Sequence, residues 1–421
     1  MMDAAGRLLP LLDAVHATAC EVRARFPDYF RHQPLRVHAE TLRRHGAGPS
    51  PVRGLVGDTY TLDLVPADTA GLTAVDRLVE RRTLVPARRL PAGGGDGQDL
   101  AGWLAAVHRR QDEDDRRAEE DARRWATSSW RRVAVQDGDL DYLAAGTPEP
   151  GRVPVVLLNA LGMGLGPWYP LVAELARRHR VLAWEPRRTT PQGRYPLLTD
   201  HVKDLLAILR DEGAASCHLV AWCTGPKVAM EFHRRNPDAV RSLVLLNGSF
   251  RALGRRDEPD TAYERHLEAL CRVLADRPSS APAVMSMLTG PAATGTDPAA
   301  DLDPHRFAEH VLSLPARELA HEIRRPFASE PDLISYAHQL LDFWSTDVLG
   351  HAPAVRAPVL CLTSEFDHIA SPERMASAVA RFPDARLVRI PGATHYAMHD
   401  RPVEVSGMLE EFMEESRTPT D

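Results

Sequence analysis

The chain has 421 residues, a formal charge of −7, and 44% apolar and 26% charged residues, amounts that suit an ordinary folded protein of two or three structural units. No run approaches the ~18 apolar residues of a membrane helix, and the net acidity argues against a general nucleic-acid binder. Lysines occur only at Lys203 and Lys227, so arginine-rich stretches reflect a compositional bias and carry little functional meaning alone.

The first twenty residues, interrupted by Pro10 and Asp13, read as a helix start and not as a targeting segment. Residues 1–129 are expected to form a mostly helical extension. Helical patterns stand at 8–26 and 38–44, a strand at 59–65, a glycine-rich linker at 91–98 and a charged helix at 100–125. The mixed signs of that last helix, at three- and four-residue spacing, suit a solvated face, or else a docking arm. From residue 130, short β-branched runs alternate with amphipathic stretches, the pattern of helices packed on a mostly parallel sheet. Eight strands are predicted, at 131–136, 140–144, 153–159, 180–184, 217–222, 242–247, 358–363 and 386–390. Helices are predicted at 169–178, 198–212, 224–235, 372–381 and 402–415. The alternation stops at 251–352, where helical periodicity at 263–274, 304–312 and 332–343 surrounds a Gly/Pro/Ala/Thr stretch at 290–300. An insertion of that size after a strand end reads as a helical lid, which divides the core into 130–250 and 353–421.

The most informative segment is His218-Leu219-Val220-Ala221-Trp222-Cys223-Thr224-Gly225-Pro226. A strand that turns sharply into a helix needs small residues two places either side of the apex, here Ala221 and Gly225. Cys223 is then lifted over the sheet edge at a helix N-terminus, the geometry of a nucleophile elbow with cysteine in place of serine. The amides there favour thiolate over thiol, and Pro226 fits the first helical turn. The alternative is a buried core cysteine, the expected fate of Cys217 and Cys361. Downstream, Asp367 leaves a strand and His395 follows the next, in Leu360-Cys361-Leu362-Thr363-Ser364-Glu365-Phe366-Asp367 and Pro391-Gly392-Ala393-Thr394-His395. Five cysteines, including Cys20 and Cys271, form no CxxC pair and no zinc spacing, so a reducing, cytoplasmic setting without a disulfide framework is expected.

On these residues, from about 130 to 415, the chain resembles the α/β-hydrolase superfamily. The resemblance implies an α/β-hydrolase fold, with an eight-stranded mostly parallel sheet, a helical lid and an N-terminal mostly helical extension. It implies Cys223 as nucleophile, His395 as base and Asp367 as acid, with Glu365 as the runner-up acid and His399 at a structural position. It further implies oxyanion donors at the backbone N–H groups of Thr224 and Leu161. The loop Asn159-Ala160-Leu161-Gly162-Met163-Gly164 departs from the family's His-Gly pattern. Asn159 and Trp222, at neighbouring strand ends, are the candidate substrate-binding residues, although Asn159 equally suits fixing the loop or capping its strand. A competing reading sets Gly162, Gly164 and Gly166 with Glu185 as a dinucleotide fingerprint, but the spacing is wrong by one. No metal or redox cofactor is implied.

Sulfur at the apex bears on the reaction. An acyl group moved from a thioester onto cysteine remains a thioester, so exchange with a second thiol is nearly balanced, whereas on serine it falls to an oxyester that a thiol cannot readily reclaim. The Ala-Trp-Cys-Thr-Gly elbow is similar to that of the shuttling aminoacyltransferases of nonribosomal peptide assembly lines, of the syringomycin-pathway type. Cysteine elbows also occur in polyhydroxyalkanoate synthases and some terminal thioesterases. The similarity implies transfer of an acyl or aminoacyl group between the phosphopantetheine arms of carrier proteins in natural-product biosynthesis. Hydrolysis by the same residues, or a non-catalytic binding scaffold, are the alternatives. Carrier proteins are typically acidic, so Arg177, Arg178, Arg187, Arg188, Arg234 and Arg235 are docking candidates by their placement at element ends, although each taken singly reads better as a plain surface arginine of an arginine-rich chain. Lys227 is read as an ordinary helix residue or as a partner for the thiolate or a phosphate.

Overall fold

The computed structural model describes residues 34–35, 61–62, 130–147, 153–254, 261–289, 319–367 and 369–416. The patterns expected at 8–26, 38–44, 91–98, 100–125, 290–300 and 304–312, and Cys20, lie outside the described residues, as does most of the strand expected at 59–65. The chain divides into two units. One holds Met1–Glu120 with Asp297–Leu314, and within it Pro34–Leu35 pairs antiparallel with Thr61–Leu62. The other, Asp121–Thr296 with Pro315–Asp421, carries the main sheet.

That sheet has eight strands: β1 (Trp130–Val135), β2 (Gly138–Ala145), β3 (Val155–Leu158), β4 (Val181–Trp184), β5 (Cys217–Trp222), β6 (Val240–Leu246), β7 (Val359–Phe366) and β8 (Ala385–Thr394). Their order is β8-β7-β6-β5-β3-β4-β2-β1, and β2 runs antiparallel to both neighbours while all other pairs are parallel. This is the α/β-hydrolase arrangement. From β3 the chain moves outward to β4 and then returns to the other side of β3 as β5. The ends of β3 and β5 therefore flank a topological switch point, where open α/β sheets place their ligands.

Strand alternation sorts the core into two layers. Leu219 and Ala221 of β5 face Val202, Leu205 and Ile208 of α2 (Leu198–Asp211) and Val228 and Phe232 of α3 (Gly225–Arg235). Val220 and Trp222 face the opposite layer, which holds Leu171 and Val172 of helix α1 (Tyr169–Leu175). α3 opens on Gly225-Pro226 and ends in His233, Arg234 and Arg235, a proline-first, basic-last order that suits the helix dipole.

After β6 come α4 (Ala262–Asp276), α5 (Ala281–Thr289), α6 (Ala320–Arg324) and α7 (Glu330–Ser345). Local signals start two of them. Thr261 and Glu264 form a reciprocal capping box on α4, and the Ser329 hydroxyl accepts from the Asp332 amide on α7. The chain then returns through β7, α8 (Pro372–Val379), β8, the single turn α9 (Ala397–Asp400) and α10 (Pro402–Glu415). Among the described residues no helix is long and apolar enough to cross a membrane.

Candidate active site

β5 delivers Cys223 at its carboxyl end in a backbone conformation with φ of 57°, the left-handed region that a side chain other than glycine's rarely adopts. The conformation is held from both sides: the Cys223 amide donates to the Leu246 carbonyl at 3.2 Å, and its carbonyl accepts from the Ser249 amide at 2.7 Å. Gly225 lies so close to β3 that a Cβ there would sit 2.5 Å from the Leu158 carbonyl oxygen. That clash is the physical reason for a glycine two residues past the apex. Cys223 is half-buried and free, whereas Cys217 and Cys361 are buried within strands. Burial pushes the Cys361 and Cys271 thiols up to about 12 and the Cys217 thiol higher still, so these stay protonated and inert.

β8 and β7 bring the other two residues together. His395 Nδ1 lies 2.9 Å from Asp367 Oδ2, while Asp367 Oδ1 accepts from the Ile369 and Ala370 amides at 2.9 and 3.0 Å. The carboxylate is thus fixed at both oxygens, one on the backbone and one on the ring. The Cys223 side chain lies close enough to the same imidazole for its charge to act on the ring. Burial of the ring acts most strongly and disfavours its charge. Even so, the charges of Asp367 and Cys223 and the hydrogen bond to Asp367 prevail, and the His395 pKa is pushed up to about 10. Glu365 lies within β7, its side chain outside the described residues.

Two residues absent from the sequence reading hold the histidine loop and the site wall. Asn247, with Cys223 one of two non-glycine residues with positive φ among the described residues, sends Nδ2 to the carbonyls of Thr394 and His395 and to Ser364 Oγ, and takes the Ser364 amide on Oδ1. Tyr396, buried directly after His395, has its hydroxyl pushed well above the ordinary tyrosine range by burial, then by Tyr263 and Cys223, and so remains a donor.

The candidate substrate-binding residues do other work. Asn159 uses every hydrogen-bonding site it has: Nδ2 donates to the carbonyls of Met163 and Gly164, and Oδ1 accepts from the Ala160 amide and Trp168 Nε1. It folds the loop after β3 and retains no capacity for a ligand. Trp222 is buried, with Nε1 donating to the His395 carbonyl at 2.9 Å, and braces the histidine from below. The Leu161 amide, expected to face an oxyanion, donates to Thr224 Oγ1 at 2.9 Å. Thr224 caps α3, where a helix leaves its first amides without intrahelical partners.

All six candidate docking arginines are paired: Arg177 with Glu174, Arg178 with Glu410, Arg187 with Asp204, Arg188 with Asp332, and Arg234 and Arg235 with Glu231. Four of these charges each have a carboxylate of their own, whereas Arg234 and Arg235 share Glu231 and leave one positive charge in excess there. Lys227 is wholly buried, its Nζ donating to the Thr346 carbonyl at 2.7 Å, and burial pulls its pKa down to about 7. Its nitrogen is committed to that carbonyl. Among the described residues no cluster of three His, Cys, Asp or Glu side chains is placed to hold a metal. Between Leu161 and helix α7 lies a narrow crevice with room for little more than a water molecule, walled by Arg187, Pro326, Ser335, Tyr336 and Gln339.

The family model described as "alpha/beta hydrolase fold" matches residues 153–402. The chain belongs to this α/β-hydrolase family. Its curated relatives include a putative carbamate hydrolase, RutD, of Azorhizobium caulinodans, 25% identical over 264 residues, which cover 62% of this chain and 89% of the relative. A stretch of the polyketide synthase ThaQ of Burkholderia thailandensis is 28% identical over 263 residues, 58% of this chain but 11% of the synthase. Among solved structures, MGS-M2, an α/β-hydrolase enzyme from a deep-sea metagenome library, superposes with a TM-score of 0.53 at 20% identity, covering 69% of this chain and 99% of that one. At that identity the likeness speaks to the hydrolase fold alone.

Proposed function

We propose that the protein is an acyltransferase that carries a thioester-bound acyl or aminoacyl group from one phosphopantetheine thiol to another through Cys223. The observation that carries this reading is a thiol at a positive-φ elbow, beside an imidazole whose Nδ1 meets a backbone-anchored carboxylate. In the first step Cys223 gives its proton to His395, its sulfur attacks the thioester carbonyl, and the bond to the donor carrier's sulfur breaks. The departing thiolate takes its proton from His395, and Asp367 holds the ring in the orientation this requires. The second step runs in reverse, with the acceptor thiol giving its proton to His395 and displacing Cys223. The Thr224 and Leu161 amides stabilise the oxyanion in both steps, the substrate oxygen replacing the Thr224 hydroxyl as the acceptor at Leu161. The likeness to part of a polyketide synthase supports a carrier-protein setting.

The test is incubation with an acylated carrier protein followed by intact-mass measurement. Transfer predicts an adduct on Cys223 that moves to a second, empty carrier faster than it is lost to water. Loss to water at the same rate with or without the second carrier establishes the other reading, thioester or ester hydrolysis, which the carbamate-hydrolase relatives favour. A protein that forms no adduct, with Cys223→Ala indistinguishable from wild type, is a binding scaffold.

A further inference from the structure

We propose that Glu322, on the lid, is a positioning residue for acyl transfer: it holds the loop that presents the Leu161 amide. The proposal rests on the acyl-transfer reading above. The three glycines of this loop, which superficially match a dinucleotide fingerprint, each face a lid side chain. A Cβ on Gly162 would sit 2.8 Å from the Pro326 ring, one on Gly166 would sit 2.9 Å from Glu322 Cγ, and one on Gly164 would fall on Arg325 Nη1 and Glu322 Oε2. The glycines are therefore the seat on which the lid rests.

At the centre of that seat the Gly164 amide donates to Glu322 Oε2 at 3.0 Å, while its carbonyl accepts from Asn159 Nδ2 at 3.0 Å. Arg325 holds Glu322 at 3.3 Å and grips both oxygens of Glu185, at the end of β4, at 2.8 Å each. Gly162 has φ of 74°, and the Met163 amide closes a turn back to the Ala160 carbonyl, so Leu161 occupies the second position of that turn. The direction of its N–H is set by a loop pinned from inside by Asn159 and from outside by Glu322. Lid closure and oxyanion geometry thus meet at one carboxylate.

Glu322→Ala, Glu322→Gln and Gly164→Ala test this in the full-length chain by two rates at Cys223. Acylation by an acyl thioester develops an oxyanion, whereas alkylation by iodoacetamide does not. Glu322→Ala is expected to slow acylation about 10- to 100-fold, the scale of a misplaced or missing donor, with alkylation within about twofold of wild type. Gly164→Ala displaces only the tips of Arg325 and Glu322, and is expected to match it. Glu322→Gln keeps an acceptor oxygen for the Gly164 amide and is expected to restore acylation to within about threefold. Hydrogen exchange at the Gly164 amide, independent of any substrate, is expected to accelerate in Glu322→Ala and not in Glu322→Gln. Unchanged exchange in Glu322→Ala, unchanged acylation, or acylation and alkylation falling together each overturns the proposal. A wild-type protein that accepts no acyl group from any thioester overturns the parent reading instead, and exchange at Gly164 then decides the loop-holding role by itself.

Discussion

Two buried bases of this protein have pKa values displaced in opposite directions, and their effects on stability oppose one another across the alkaline range. His395 is raised from 6.5 to about 10 and Lys227 lowered from 10.5 to about 7, each a displacement of about 3.5. At 1.36 kcal/mol per unit either one corresponds to about 5 kcal/mol. The signs follow from which state binds more protons. Between pH 6.5 and 10 the folded state holds the His395 proton and the unfolded state does not, so its contribution, complete below 6.5, is lost as pH rises through 10. Between pH 7 and 10.5 the unfolded state holds the Lys227 proton and the folded state does not, so folding becomes more favourable as pH rises. Lys227→Met deletes the second effect. Its urea-unfolding free energy should fall more steeply than wild type's between about pH 7 and 10, by about 1.4 kcal/mol per pH unit. At about pH 7 Lys227→Met should stand level with or above wild type, because a buried ammonium no longer needs desolvation. Parallel curves for the two proteins would refute the reasoning.

Three further substitutions follow from the same geometry. Asp367→Asn keeps its oxygen on the Ile369 and Ala370 amides and so turns its amide nitrogen toward His395 Nδ1. The ring then carries its proton on Nε2, its pKa drops well below about 10 in an NMR titration, and acylation of Cys223 falls about 10³- to 10⁴-fold. Thr224→Val removes the internal acceptor of the Leu161 amide, and acylation should stay level or rise, at most about tenfold for a hydrogen bond worth about 1 kcal/mol. A tenfold loss would mean that the hydroxyl itself serves the reaction. Gly225→Ala drives a methyl group against the Leu158 carbonyl, and a thermal or urea melt should show a loss of about 2 kcal/mol or more despite alanine's better helix propensity.

What could be read from the sequence was what repeats or what sterics make obligatory. All eight sheet strands fall where β-branched runs predicted them, because alternation along a strand records which face is buried. Ala221 and Gly225 mark a bend that tolerates nothing larger, and the carboxylate and imidazole that meet in space stand at the ends of successive strands. What stayed hidden depends on partners distant in sequence. Lys227 reads as one polar position on a helix, and only the packing of Thr346 above it, 119 residues on, makes it buried. Arg188 and its carboxylate Asp332 are 144 residues apart, so no local pattern reveals that the charge is cancelled. α5 and α6 of the lid carried no periodicity strong enough to be seen. The Gly162, Gly164 and Gly166 spacing was visible, but its cause lies on helices far along the chain.

The choice of sulfur over oxygen at residue 223 yields a sharper test than deleting the nucleophile. In Cys223→Ser the bend, the Thr224 amide and the Asp367–His395 pair are unchanged in position, yet two quantities move. His395 loses the charge that Cys223 supplies, one of the influences that raise its pKa, so the ring is a weaker base toward the attacking group. The acyl adduct becomes an oxyester, from which return to a thiol is uphill, so water is the remaining acceptor. The acylated form of Cys223→Ser should therefore arise slowly, accumulate, and decay at a rate indifferent to added carrier thiol, and intact-mass time courses with and without an empty carrier read this directly. If Cys223→Ser instead delivers its acyl group to the second carrier at the wild-type rate, the identity of the atom at the elbow does not select the acceptor. Transfer would then depend on the lid's exclusion of water.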